Sequence, residues 1–448
     1  MKHKNKSAIR LSDHFTCGRL LRFTLPSIVM MIFTSIYGVV DGFFVSIFVG
    51  KSPFAAVNFI MPFLMILGCV GFMFGTGGSA LISMTMGQRD GEKANRIFSL
   101  LIYISAAVGI LLAVLGILFI RPVAAALGAE GEMLENSVIY GRIILAALPA
   151  YLLQMEFQSF FVTAEKPHLG LTVTVASGVT NMVLDGLLVA VFRLGLVGAA
   201  LATAASQIVG GILPLLYFAS PNSSLLRLGK TRFDGKALLR TCTNGSSELM
   251  SNVSMSLVSM LYNVQLLRYA GENGIAAYGT MMYVNMIFLA AFIGYSIGTA
   301  PVIGFHFGAG NHGELRGLLR RSLGIIGVFA VCMLALGFFL AEPLSRLYVG
   351  YDSELLEMTV HGFHIFAWSF LFAGFAIFSS SFFTALNDGL TSAAISFLRT
   401  LVFQIAAVML LPLVWDIDGI WWSIVVAELM AVVVGGIFLV VKQKKYHY

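Results

Sequence analysis

The sequence predicts an all-α membrane protein in which twelve transmembrane helices form two six-helix lobes related by a parallel pseudo-two-fold repeat. Composition is the first observation behind this. Of 448 residues, 58% are hydrophobic and only 11% charged, with a mean hydropathy of +0.89. Soluble domains carry about 25% charged residues, so so few charges exclude a water-soluble globular enzyme, and the high hydrophobicity excludes a disordered chain. The second observation is the length of the apolar runs: they match membrane-spanning helices rather than the alternating ten-residue strands of an outer-membrane barrel. The third is an internal repeat at an offset of 221 residues.

The basic stretch 1–22, with Lys2, Lys4, Lys6, Arg10, Arg19 and Arg22, reads as a cytoplasmic N-terminus. The following run 23–49 is too long for a signal-peptide core and lacks a clear small-residue cleavage site, so it is expected to remain as the first span. Further spans are expected at 54–84, 97–120, 137–160, 168–191 and 196–219, which completes an N-lobe over 23–219. A cytoplasmic linker, 220–240, is the longest polar stretch between spans and too short for a soluble domain. The C-lobe, 241–441, holds spans at 242–267, 276–304, 322–341, 359–383, 391–413 and 419–441. The tail 442–448 ends the chain. In the repeat, Gly50 meets Gly271, Gly77 meets Gly298, Gly87 meets Gly308, Gly116 meets Gly337, Gly141 meets Gly362, Gly198 meets Gly419 and Pro122 meets Pro343. Six spans per half is an even number, so both halves enter the membrane in the same direction, one of the repeat types of secondary transporters.

Charge placement gives an orientation. With the N-terminus inside, 21 of the 28 Lys and Arg fall on inside segments and five on outside loops; Arg142 and Arg399 lie within apolar stretches. This bias places both termini in the cytoplasm. It also accounts for the net charge of +6 without a nucleic-acid partner. The four cysteines are far apart and form no C-x-x-C pair, and the eight histidines form no H-E-x-x-H, so no disulfide framework or zinc site is implied. His361 and His364 read as a solvated helix end. No Walker A, nucleotide loop or catalytic triad is present, and the protein is not expected to be an enzyme.

The chemistry then rests on acids inside spans, each costing about 2.5–3.5 kcal/mol at a helix centre. They are Asp41, Glu156, Asp185, Glu248 and Glu428. Asp41 follows Tyr37 in the outer part of the first span. Asn181 and Asp185, four residues apart, share one helix face, and Thr203 lies on the next span. Three jobs are open to this set: sharing a proton between carboxyl groups, since burial and a nearby second carboxylate both favour the protonated form; holding a small hard cation; or fixing helix packing as a polar cluster. Glu248 is expected at the start of the seventh span, either solvated there or functional, with Asn252 and Asn263 further along. Glu156, beside Gln158, is expected near the inner end of the fourth span. Arg399 is a candidate partner for Glu428.

These features resemble the MATE (multidrug and toxic compound extrusion) transporters of bacteria. The resemblance covers nearly the whole chain. It is carried by Thr24-Leu25-Pro26 and Val40-Asp41-Gly42 in the first span, by Gly87-Gln88-Arg89-Asp90-Gly91-Glu92 echoed in Gly308–Glu314, and by Asn181-x-x-x-Asp185 followed by Gly198–Thr203. It implies a V-shaped pair of lobes and export of amphipathic, often cationic compounds in exchange for H⁺ or Na⁺ by alternating access, in the bacterial cytoplasmic membrane. It implies that Asp41, Asn181, Asp185 and Thr203 bind the coupling ion, with Glu248 matching an acid seen in some members. Tyr37, Glu156, Gln158, Glu248, Asn252 and Asn263 are candidate substrate or coupling contacts. The tenth span lacks the aspartate that some members carry, which places coupling in the first lobe. No cofactor beyond the ion and no partner protein is implied. The alternative function is a flippase for a lipid-linked oligosaccharide or related precursor, which would call for a cationic cavity; a membrane enzyme would call for a nucleophile–base or metal set that the sequence does not show.

Overall fold

The computed structural model describes residues 9–448, so Lys2, Lys4 and Lys6 lie outside the described residues. Long apolar runs fold as helices because lipid offers no partner for a free backbone N–H or C=O, and a helix satisfies both within one segment. The helices are α1 (Cys17–Phe44), α2 (Lys51–Gly87), α3 (Gly91–Ala126), α4 (Gly131–Ala146), α5 (Leu148–Thr163), α6 (Pro167–Leu184) and α7 (Gly195–Ala219). After an extended stretch come α8 (Gly235–Gly308), α9 (His312–Val349), α10 (Ser353–Ala367), α11 (Phe370–Ala385), α12 (Gly389–Phe397), α13 (Phe403–Leu410) and α14 (Pro412–Tyr446).

These make twelve crossings. The pairs α4–α5 and α10–α11 each form one span, bent by 57° and 48°. Helix α8 has 74 residues, roughly 110 Å at 1.5 Å per residue, far more than the ~30 Å core of a bilayer. It is two spans, broken where Gly271 takes φ 65, ψ −154. Its repeat mate Gly50 makes the same kind of reversal, at φ 110, ψ 170, between α1 and α2. Left-handed residues also pair at Arg89 (φ 64) with Gly310 (φ 68) and at Gly195 (φ 60) with Asp416 (φ 49). Side chains follow suit: Asp90 caps α3 by accepting from the Lys93 N–H, and Asn311 caps α9 by accepting from the Glu314 N–H. The repeat is thus carried by turn chemistry as well as by hydrophobicity. The helices are longer than the apolar runs alone suggest. The first begins at Cys17 rather than 23, and the seventh span begins at Gly235 rather than 242.

The two halves meet along a seam of small residues, the usual means of bringing backbones together in lipid. A Cβ on Gly77 would run into the Thr241 carbonyl and one on Gly245 into the Met73 carbonyl, which joins α2 to the start of α8. Gly298, the repeat mate of Gly77, presses against Thr24 of α1, and Gly294 against Ile28. At the end of the seam the contact is reciprocal, because a Cβ on Gly87 would strike the Phe305 carbonyl and one on Gly308 the Met84 carbonyl. This end also gathers the basic loops, and we call it the basic end.

The N-terminal segment crosses it. The Leu11 N–H donates to Glu165 Oε1 at 2.6 Å in the first lobe, while His14 Nδ1 and the Phe15 N–H reach Glu314 at 2.5 and 2.9 Å in the second. Burial pushes the Glu165 carboxyl above its ordinary range against the opposing Leu11 N–H. At the other terminus α14 is tied to Asp388, which accepts from the Tyr446 hydroxyl at 2.7 Å and pairs with Lys442 at 3.3 Å. Burial works against ionisation of Asp388, but Tyr446, Thr391 and Lys442 together outweigh it and hold the carboxyl below the usual carboxylate range.

Adding side chains at the reciprocal glycines tests the seam. Overpacking costs about 1–3 kcal/mol, so Gly87→Val is expected to weaken contact at the basic end by about tenfold or more, since 1.4 kcal/mol is tenfold. A cysteine placed at buried Ser83 in a background lacking the four native cysteines reports it. Its reaction with a water-soluble maleimide should accelerate in Gly87→Val, and an unchanged rate would contradict the seam.

Candidate functional site

Four of the expected residues converge inside the first lobe. Asp41 lies one turn before the end of α1, Asn181 and Asp185 at the end of α6, and Thr203 in the first half of α7. Both α1 and α6 loosen here into π turns, Val45–Val49 and Asp185–Val191. Such turns recur at functional sites. The amide of Asn181 donates to Asp41 Oδ1 at 3.4 Å, and Asp185 and Thr203 adjoin the same carboxyl. Asn181 and Asp185 are 1% and 0% exposed. The Asn181 Oδ1, both Asp185 oxygens and the Thr203 Oγ1 are buried with no hydrogen-bond partner within the protein. Among the described residues no lysine, arginine or histidine pairs with either carboxyl. Tyr37 stands one turn before Asp41, its ring 5.8 Å from Phe33. Both rings pack on Gly178, where a Cβ would lie 2.5 Å from Phe33.

An uncompensated carboxylate in an apolar interior is neutralised rather than left charged. Two agents suit this donor set. A proton can sit on one carboxyl, or a small hard cation can be held by carboxylate, amide and hydroxyl oxygens. Tyr140 of α4 adjoins Thr203, Asp41 and Asp185 and is 1% exposed. The sequence reading missed it, because a lone tyrosine in an apolar run carries no distinguishing pattern. Thr203 also lines a small pocket with Met61, Leu64, Tyr151 and Gln207, between α2, α4, α5 and α7 on the side away from the basic end.

The second lobe has no counterpart. The 221-residue offset puts Tyr262, Val402, Ala406 and Ile424 where the first lobe has Asp41, Asn181, Asp185 and Thr203. Tyr262 there donates to Gln404 Oε1 at 2.7 Å and stacks on Tyr278 at 5.2 Å. The second lobe's charge lies elsewhere: Arg399 makes a bidentate pair with Glu428, Nε to Oε2 at 2.8 Å and Nη2 to Oε1 at 2.9 Å. This closes both groups upon each other.

The remaining candidates are scattered. Glu248 is not at a solvated helix start. Because α8 begins at Gly235, Glu248 lies 13 residues, roughly 20 Å, into the helix, near Arg399 of its own lobe and Cys69 of α2. Asn252 follows one turn later and donates to the Glu248 carbonyl, while Asn263 is exposed. Glu156 does not reach the interface. It is 0% exposed, and its neighbour Gly75 on α2 would clash with its backbone if it bore a Cβ. Gln158, 4% exposed, is likewise enclosed within the first lobe, away from the seam. His361 accepts or donates to Asp418 at 2.9 Å, and no group of three metal-ligating side chains occurs among the described residues.

Two helical lobes in parallel repeat, spanning a membrane and enclosing a neutralisable acid cluster, define a polytopic transporter. The MatE family model matches residues 26–187 and 249–410, one stretch in each half, and the chain belongs to the MATE family of transporters. It is 26% identical over 412 residues to the multidrug export protein MepA of Staphylococcus aureus (strain MRSA252), covering 91% of this chain and 90% of that one. Its fold is similar to a crystal structure of MATE in complex with MaL6, at TM-score 0.93 and 20% identity over 99% of this chain and 100% of that one. The same values hold for an outward-facing multidrug resistance MATE family transporter of the MOP superfamily.

Removing one member of the buried ion pair should unfold the second lobe more readily. Breaking such a pair costs about 3–5 kcal/mol because the other charge is stranded. Arg399→Met is therefore expected to lower the thermal unfolding midpoint in detergent, and Arg399→Met/Glu428→Leu to recover most of the loss. A double variant no better than the single would show that the pair is not the cause.

Proposed function

We propose that the protein is a cation-driven exporter of amphipathic, often cationic compounds, working by alternating access in a bacterial cytoplasmic membrane with both termini inside. The observation that carries this is the unpartnered acid cluster of the first lobe. Both Asp185 oxygens, the Asn181 Oδ1 and the Thr203 Oγ1 lack a protein partner, Asp41 meets only the neutral Asn181 amide, and no fixed cation pairs with either carboxyl, so a mobile H⁺ or Na⁺ is the agent that neutralises them. The name of the S. aureus relative, a multidrug export protein, supports the substrate class. The bias of basic residues toward the end with the termini supports the orientation.

Coupling needs an ion that binds the two conformations unequally. The geometry offers a route. Asp41 is on α1, whose other half packs against Gly294 and Gly298 of the second lobe, whereas Asn181, Asp185 and Thr203 belong to the first lobe alone. Neutralising the cluster lets α1 settle on α6 and α7, and that movement acts on the seam. The pairing of Arg399 with Glu428 weighs against the cationic cavity that the flippase reading calls for.

Efflux of ethidium from cells tests this. Asp41→Asn and Asp185→Asn, at matched membrane expression, are each expected to cut efflux by about tenfold or more, the size of losing one charge-dependent interaction of about 1.5–3 kcal/mol. Of the proton and sodium gradients, collapsed separately, the loss of one should abolish efflux and so name the coupling ion. Full efflux in both variants would overturn the proposal.

A further inference from the structure

A line of polar side chains leads from the acid cluster through the first lobe toward the basic end. One turn toward that end from Asn181 on α6 lies Ser177, 0% exposed, whose hydroxyl donates to the Ser206 carbonyl of α7 at 2.7 Å. The Ser206 hydroxyl donates in turn to the carbonyl of Thr203, a member of the cluster, at 2.8 Å. From α5 the Gln154 amide donates to Ser177 Oγ at 3.0 Å. One turn further, Gln158 and Thr174 are each 4% exposed. The Oε1 of Gln154 and both amide atoms of Gln158 are buried with no partner within the protein. These two glutamines line a narrow cleft with Thr174, Gly170, Gly210 and Pro214.

Packing alone does not explain this line. A buried polar atom without a partner costs about 1–3 kcal/mol, and leucine at 154 and 158 would fill the same space without that cost. Space has instead been cleared for the amide: a Cβ on Gly210 would come within 2.5 Å of the Gln154 side chain. The line also has a definite direction. The pocket beside Thr203, in the half away from the basic end, is lined mostly by apolar side chains such as Met61, Leu64 and Ile144, whereas the cleft at Gln158 lies toward the basic end, so the polar line runs from the acid cluster toward the basic end.

We propose that Gln154, Ser177 and Gln158 form the route by which the coupling cation leaves the Asp41–Asp185 cluster toward the basic end, with Gln154 and Ser177 as its positioning residues. This rests on the functional reading above. The line supplies successive oxygens and the two to four polar partners that a bound water needs. A hydrated cation, or a proton moving along waters, is thereby kept solvated across the lobe. Gln154 is linked to α6 through Ser177, and on this route its amide turns for the ion to pass.

The test uses the full chain in proteoliposomes under imposed gradients. A trapped pH dye follows proton movement, ²²Na⁺ follows sodium, and ethidium is the exported probe. Gln154→Leu and Ser177→Ala are expected to slow ethidium-dependent ion flux by about tenfold, the effect of losing one hydrogen bond of about 1.4 kcal/mol along the path. Ethidium affinity should be unchanged, the thermal midpoint of Gln154→Leu should not fall, and the isosteric Gln154→Glu should retain flux. Full flux in both variants would overturn the route. So would a loss of flux matched by losses in affinity and thermal midpoint, which is what a packing role predicts. Asp185→Asn serves as the reference: unchanged flux there would overturn the functional reading itself, whereas a dead Asp185→Asn beside a fully active Gln154→Leu would overturn only the route.

Discussion

A carboxylate cannot remain charged and alone in the interior of a membrane protein. That constraint organises the first lobe. Asp41 and Asp185 are drawn together from α1 and α6 with no arginine or lysine to meet them, and Asn181 and Thr203 add only neutral oxygens. The protein therefore depends on something that comes and goes. The second lobe shows the contrast within the same fold: its buried arginine and glutamate satisfy each other permanently, and a tyrosine–glutamine hydrogen bond takes the place of the acids. Duplication supplied two equivalent frames, and the first carries two acids side by side where the second has a tyrosine and an alanine.

The seam between the lobes follows from a second constraint. Lipid gives helices no hydrophobic reason to associate, so contact must come from close backbone approach and hydrogen bonds. Glycines at 77, 87, 245, 294, 298 and 308 provide the approach. The N-terminal segment adds hydrogen bonds from Leu11 to one lobe and from His14 and Phe15 to the other. The cluster and the seam share α1, which is why neutralising an acid in the first lobe can be felt at the contact between lobes.

Most of the architecture was legible in the sequence, because spanning helices must be long and apolar and the repeat preserved its turn glycines. Gly50 and Gly271 show why: both sit where the chain reverses with positive φ, a conformation that costs other residues energy. The grouping of Asp41, Asn181, Asp185 and Thr203 was legible in part. The i, i+4 spacing placed Asn181 and Asp185 on one face, but the approach of α1 and α7 to that face was available only from the resemblance. Helix ends were less legible, since helices continue past the hydrocarbon with polar turns. That is how Glu248 came to be expected at a helix start when it lies well inside α8. Tyr140 and Ser177 were hidden for another reason. Isolated polar residues in apolar runs acquire meaning only when neighbouring helices bring them into line.

The central claim is that the first-lobe acids are neutralised by an exchangeable cation. Infrared difference spectroscopy of the carboxyl stretch, on purified protein as pH is raised or Na⁺ is added, tests it most directly. The account predicts a protonated-carboxyl band that either change diminishes and that is lost in Asp185→Asn. A difference spectrum unaltered by that substitution would contradict it.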